Sequence, residues 1–274
     1  MIDKILNNIH HNLDLWLTPD NYRLCLGCMD LTTLNSTDTQ KRVISFAEKV
    51  NGFKVRFPDY PLPAAICVYP NWGATVKEHL SVNGVNVAVV AGGFPHSQTF
   101  MQVKLQECAM AVEQGADEVD IVLSLNKFLH GDAAGAAEEI AAIKGVIGEA
   151  KLKVILETGA LGGVENIARA SVLAMEAGAD FIKTSTGKME PAATPVAAAV
   201  MCNCIKEYWK KTGRKVGFKP AGGISTAKDA IVYLAIVDTI LGKEWLCPQL
   251  FRIGASRLAN NLLSELEQQT TVYY

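Results

Sequence analysis

Hydrophobic and polar positions alternate between two textures along the chain. Short apolar, β-rich runs stand at Arg23–Met29, Ala64–Tyr69, Asn86–Ala91, Glu118–Leu123, Lys153–Glu157, Phe181–Thr184, Lys215–Lys219 and Phe251–Ile253. Between them lie longer stretches with helical spacing, so the pattern predicts repeated βα units around a parallel sheet. Helix starts are marked by Ser36–Thr37 before Lys41 to Val50, by Thr194-Pro195, and by Thr226 with Asp229 three residues on. EQGADEVDIVLS and EAGADFIKTSTG both close a helix at Gly-Ala-Asp and enter a strand, with Gly115 and Gly178 as C-cap candidates. Two such copies, two units apart, favour a closed TIM (β/α)8 barrel over a doubly wound open sheet, the alternative α/β arrangement. No low-complexity linker divides the chain. The expectation is one barrel domain over residues 1–274, with residues 1–20 as a short helical extension in which Ile2, Ile5, Leu6, Ile9 and Leu13 share a face.

Composition narrows the function. The 274 residues are 49% hydrophobic and 20% charged with net charge −2, which suits a soluble globular protein and argues against a nucleic-acid surface. No run has the length and apolarity of a signal peptide or membrane span, so a membrane role is not expected. Seven cysteines with scattered spacing read as reduced thiols in the cytoplasm. Cys25 and Cys28 form a lone C-x-x-C without the further ligands that a metal site needs, so no metal is expected.

Two of the strand-like runs carry a charge where none belongs. FIKTSTGK places Lys183, and VGFKPAGG places Lys219, near the carboxyl ends of strands, which is the functional face of a barrel. Side-chain alternation aligns Lys183 with Phe181 and Ser185, and Lys219 with Gly217 and Ala221, so small residues leave room beside Lys219. Burial and a neighbouring ammonium both lower a lysine pKa, and the resulting free amine can attack a carbonyl to form a Schiff base. Asp120, in the middle of EVDIVLS, is the expected proton carrier. A purely structural ion pair would explain one lysine and one aspartate; it explains two lysines beside Gly-rich loops less well. Those loops, Gly222-Gly223 with Ser225 and Gly254 with Ser256, near Gly187-Lys188, have the small residues and following helix starts of a phosphate cradle.

FIKTSTGK, VGFKPAGGIST, GADEVDIVLS, MDLTTLN, AAICVYP and the FPH at Phe94–His96, taken in order, resemble the deoxyribose-phosphate aldolase family of class I aldolases. The likeness runs from about Met29 to the last tyrosine. It implies that Lys183 forms the Schiff base, that Lys219 is its cationic neighbour, and that Asp120 joins the proton relay. It further implies reversible cleavage of 2-deoxy-D-ribose 5-phosphate to glyceraldehyde 3-phosphate and acetaldehyde, with no metal or organic cofactor. Asp30, Thr32 and Asn35 after the first strand, with Cys67 and Thr184, are expected around the pocket, and a homodimer is common among similar enzymes.

The chain departs from the family pattern at Ser225, where relatives often carry Arg, and at Arg257, where they often carry a second Ser. Two readings of Arg257 stand side by side: the phosphate-binding charge has moved there from the loop holding Ser225, or Arg257 points to solvent on the helix surface. Gly92-Gly93 stands where relatives often have Thr-Asn. His96 and the His10-His11 pair are weighed as acid–base residues and set below the lysines. Two rival readings remain at this point: a silent sugar-phosphate-binding barrel, and a Schiff-base aldolase for another aldehyde.

Overall fold

The computed structural model describes residues 2–274. Eight parallel strands follow one another around a ring: β1 Met29–Thr32, β2 Ala65–Val68, β3 Asn86–Val90, β4 Glu118–Val122, β5 Lys151–Ile155, β6 Phe181–Lys183, β7 Gly217–Lys219 and β8 Ile253–Ala255. Strands β1 to β7 pair in chain order, and β8 pairs with β1. The last gap closes through bridges Phe218–Phe251 and Ala221–Gly254, with the Arg252 and Gly254 amides donating to the Phe218 and Pro220 carbonyls. The sheet is thus a closed barrel, and helices cover its outside.

The first expected strand is corrected. Residues 23–27 end a helix, Pro19–Gly27, and the strand begins at Met29. The helix is set by its start: Thr18 caps it by accepting the Asn21 amide, and Pro19 opens it. Asp30 and Thr32 consequently lie within β1 rather than after it. Strand β8 begins two residues later than Phe251, β5 begins at Lys151 and ends at Ile155, and β7 begins at Gly217. The helix expected from Ser36–Thr37 is capped by Thr39, whose hydroxyl accepts the Arg42 amide. Thr194-Pro195 and the Thr226–Asp229 capping box stand as expected.

Each strand turns one set of side chains outward to the helices and the other into the barrel. Outward residues such as Leu31, Ile66, Val89, Val119, Val154, Ile182 and Phe218 belong to the main apolar core. Inside, the β2 and β3 side is small and apolar, with Ala65, Cys67, Ala88 and Val90 beneath Leu34. The opposite side is ionic. Gly217 makes room there, because a Cβ on it would fall 2.2 Å from the Phe181 ring. That ring in turn lies 5.6 Å beneath the Arg252 guanidinium. Helix Ile2–His11 packs on the outer helices Pro195–Thr212 and Ala227–Leu241, and Trp16 donates its indole N–H to Asp238.

Candidate active site

Seven ionisable side chains fill the ionic half of the barrel. At its base, Arg252 on the approach to β8 holds Asp30 at 2.6 Å and Glu118 at 2.7 Å. Lys153 of β5 stands above, 2.6 Å from Glu118, 2.8 Å from Asp120 Oδ1 and 3.5 Å from Asp30. Higher still, Asp120 Oδ2 accepts from Lys183 Nζ and Lys219 Nζ, each at 2.7 Å, and Lys219 also reaches Asp30. Asp30 Oδ2 faces its cations without a well-directed hydrogen bond, so it is held by charge. Register explains the stacking: Glu118 and Asp120 are two apart on β4, Lys153 is level with Asp120 and Phe181, and Lys183 and Lys219, level with each other and with Ile155, stand one layer higher.

Charge balance then decides which group is neutral. Four basic side chains face three carboxylates, so one cation is uncompensated in a site where isolated charge is costly. Burial pulls Lys183 below the ordinary lysine pKa; Asp120 opposes this, and the Lys219 ammonium reinforces it. Burial acts on Lys219 too, but Asp120 and Asp30 outweigh it and raise that pKa. Lys153 is raised against its burial by Asp120, Glu118 and Asp30. Burial works against ionised Asp120, yet Lys153, Lys183 and Lys219 hold it well below the usual carboxylate range. With Lys183 as the free amine, the seven groups sum to zero charge. It is also the lysine of the cluster that lines the open cavity above.

That cavity has a volume of about 400 Å³. It brings together most of the residues expected from sequence: Thr32, Asn35, Lys183, Gly187, Lys188, Gly222, Gly223, Ser225, Gly254, Ser256 and Arg257. Gly222 is required at its place, because it has φ +86° and a Cβ there would fall 2.7 Å from that of Ala192. Glycine at 254 is similarly confined, with a Cβ meeting Ala221 at 2.9 Å. Two helices, Ala227–Leu241 and Leu258–Glu267, begin just past these loops. Lys188 is already engaged, donating to the Leu34 carbonyl at 2.6 Å and so bridging two loops across the rim.

Other expected residues lie elsewhere. The Thr184 hydroxyl is committed to the Ala221 backbone, donating to its carbonyl at 3.1 Å and accepting its amide at 3.0 Å. Cys67 is buried on the apolar side, where burial keeps its thiol protonated. His96 is exposed, and so are His10 and His11, on the remote N-terminal helix. Cys25 and Cys28 are buried thiols, and no group of three metal-ligating residues occurs among the described residues. Sequence reasoning missed Glu118, Lys153 and Arg252. Their signal was the period of two: Glu118 shares a face with Asp120, and Lys153 repeats the anomaly of Lys183 at a strand start.

A fourth missed residue is Glu157, which follows β5 with φ +52°, a strained value for a side-chain-bearing residue. Its carboxylate accepts the Thr186 hydroxyl at 2.5 Å and the Thr186 amide at 3.2 Å, anchoring the loop that follows Lys183.

Comparison with known proteins places these features in context. The profile of the DeoC/LacD family aldolases matches residues 25–244. Human deoxyribose-phosphate aldolase is 43% identical over 256 residues, covering 88% of this chain and 78% of its own. A solved structure from Toxoplasma gondii superposes with TM-score 0.79 at 23% identity, over 91% of this chain and 95% of its own. A tetrameric deoxyribose phosphate aldolase from Aeropyrum pernix does so with TM-score 0.69 at 24% identity, over 95% and 96%. The two structures share the fold.

Proposed function

Because this chain belongs to the DeoC/LacD family of aldolases, we propose that it cleaves 2-deoxy-D-ribose 5-phosphate reversibly to glyceraldehyde 3-phosphate and acetaldehyde, with Lys183 as the Schiff-base lysine. The observation that carries the residue assignment is Asp120 Oδ2, shared at 2.7 Å by one lysine of lowered pKa and one of raised pKa. The free amine of Lys183 adds to the substrate aldehyde, and loss of water leaves an iminium. A base takes the proton of the C3 hydroxyl, the C2–C3 bond breaks, and its electron pair passes into the iminium to give an enamine. Glyceraldehyde 3-phosphate departs. Protonation of the enamine carbon and hydrolysis of the imine release acetaldehyde and restore the amine.

Asp120 and Lys219 are the proton carriers in this scheme, directly or through water. Their charges also act on the iminium: the Asp120 carboxylate stabilises it where the lost Lys183 charge would have stood. The phosphate is assigned to the backbone amides around Gly222-Gly223 and Gly254–Ser256, with Arg257 supplying a permanent charge. Lys188 would exchange the Leu34 carbonyl for that phosphate. The small apolar wall of Cys67, Ala88 and Val90 suits a donor aldehyde with only a methyl group.

Borohydride reduction in the presence of acetaldehyde, followed by peptide mapping, tests the assignment. The adduct is expected on the peptide carrying Lys183. Modification at another lysine would overturn the residue assignment, and cleavage of unphosphorylated deoxyribose as efficient as that of its 5-phosphate would overturn the phosphate assignment.

A further inference from the structure

A second cavity of about 730 Å³ opens beside the catalytic one and shares Thr32, Asn35, Ser256 and Arg257 with it as a common wall. Its far side is the first three turns of the helix Gln40–Arg56 and carries Lys41, Arg42 and Lys49. No acidic side chain lines it. Arg42 lies 3.4 Å from Asp38, whose carboxylate also accepts the Thr33 hydroxyl and the Asn35 amide. Lys41, Lys49 and Arg257 have no carboxylate within 4.0 Å among the described residues. Three uncompensated cations therefore converge on one concavity in a chain whose net charge is −2.

Hydroxyl donors accompany the charge. Ser45 and Thr39 line the cavity, Thr39 at the positive end of a 17-residue helix. Tyr274 closes the back, and its buried hydroxyl has no hydrogen-bond partner. Lys41, Arg42, Ser45 and Lys49 lie outside the catalytic cavity and have no part in the scheme at Lys183.

We propose that this basin is a second anion site, suited to a phosphate monoester and separate from the cradle at Gly222 and Gly254. A phosphate dianion matches several flexible cations and hydroxyl donors better than a carboxylate does, since it presents three acceptor oxygens and about twice the charge. Two sources share that chemistry. The monoester is either the sugar phosphate on its way to the catalytic pocket, met first by the exposed lysines, or a separate phosphorylated molecule that sits beside the occupied pocket.

The test compares the full chain with the double variant Lys41→Ser/Lys49→Ser, whose changes fall at exposed positions outside the catalytic cavity. A ³¹P NMR titration with inorganic phosphate is expected to find two sites in the parent and one in the variant; it requires no turnover, so it stands apart from the proposed reaction. Turnover of 2-deoxyribose 5-phosphate is measured in parallel at low and high salt. If the basin receives incoming substrate, kcat/KM of the variant falls about three- to tenfold at low salt, the deficit shrinks at high salt, and kcat is unchanged. If the basin holds a separate molecule, the kinetics are unchanged while the second phosphate site is lost. One phosphate site in both proteins, with the same kinetics at both salt concentrations, would overturn the proposal.

Discussion

Lys104 and Lys183 are buried to the same degree, 2% and 3% exposed, and differ in what surrounds them. Lys104 gives its three donors to Ser97 at 2.7 Å, Ser124 at 3.2 Å and Glu139 at 2.5 Å, and Ser124 in turn donates to Glu139. Glu139 is the one fully buried carboxylate for this one fully buried ammonium, with the partly exposed Lys127 3.5 Å from its other oxygen, and the pair ties the helix Met101–Glu113 to the helix Ala133–Ile147 and to the loop after β3. Lys183 has a single hydrogen bond, to a carboxylate oxygen that Lys219 also claims, and its other side faces a cavity. A buried lysine is therefore not in itself a sign of chemistry. What distinguishes Lys183 is an excess of cations that are all buried, whereas the second cation on Glu139 is partly exposed, and an opening through which a carbonyl can arrive.

The largest test of that contrast is to remove each lysine. Lys183→Met is expected to lower turnover on the order of 10⁴-fold or more while leaving thermal stability little changed, because Asp120 retains Lys153 and Lys219. Lys219→Leu should cost about 10²–10⁴-fold in kcat. It also removes the like charge that helps to depress Lys183, so the pKa of Lys183 rises, less free amine is present at a given pH, and the acid limb of kcat/KM moves to higher pH. An unmoved limb would show that the two ammonium groups are not coupled.

Lys104→Met should behave in the opposite sense. It leaves Glu139 with only the Ser124 hydroxyl and the partly exposed Lys127, for which the expected cost is at most about 3–5 kcal/mol in a denaturant titration, while the folded fraction keeps most of its kcat. A variant that stays stable yet loses turnover would erase the distinction between the two lysines. The smallest effect is expected at the rim. Arg257→Ala should weaken binding of the phosphorylated substrate by ~1.5–3 kcal/mol, as for a charged hydrogen bond, and leave turnover of unphosphorylated deoxyribose nearly unchanged; equal changes on both substrates would place Arg257 on the solvated surface instead.

The same contrast explains what could be read without the structure. Lys183 and Lys219 were legible because each interrupts an apolar run at the functional end of a strand, which the repeat of βα units located, and Asp120 because it interrupts one in mid-strand. Lys153, Glu118 and Arg252 were not, since a charge at the start of a strand ordinarily lies in solvent at the barrel floor. Only closure of the ring brings those three together beneath Asp120. The strand holding Asp30 was misplaced for a local reason: Leu24, Cys25 and Leu26 make an apolar run that suits a strand, but the Thr18-Pro19 start commits them to a helix. Thr184 looked like a pocket residue from its place after Lys183, whereas its hydroxyl is engaged by the Ala221 backbone just past β7.

Direct titration of the lysine ammonium groups tests the central claim, that burial, reinforced by the neighbouring Lys219 ammonium, makes Lys183 the free amine. Heteronuclear NMR with labelled lysine, assigned by the Lys183→Met and Lys219→Leu variants, would follow each group with pH. Lys183 is expected to deprotonate below the ordinary lysine value, and Lys219 and Lys153 above it. A Lys183 that holds its proton as tightly as Lys219 would contradict the account.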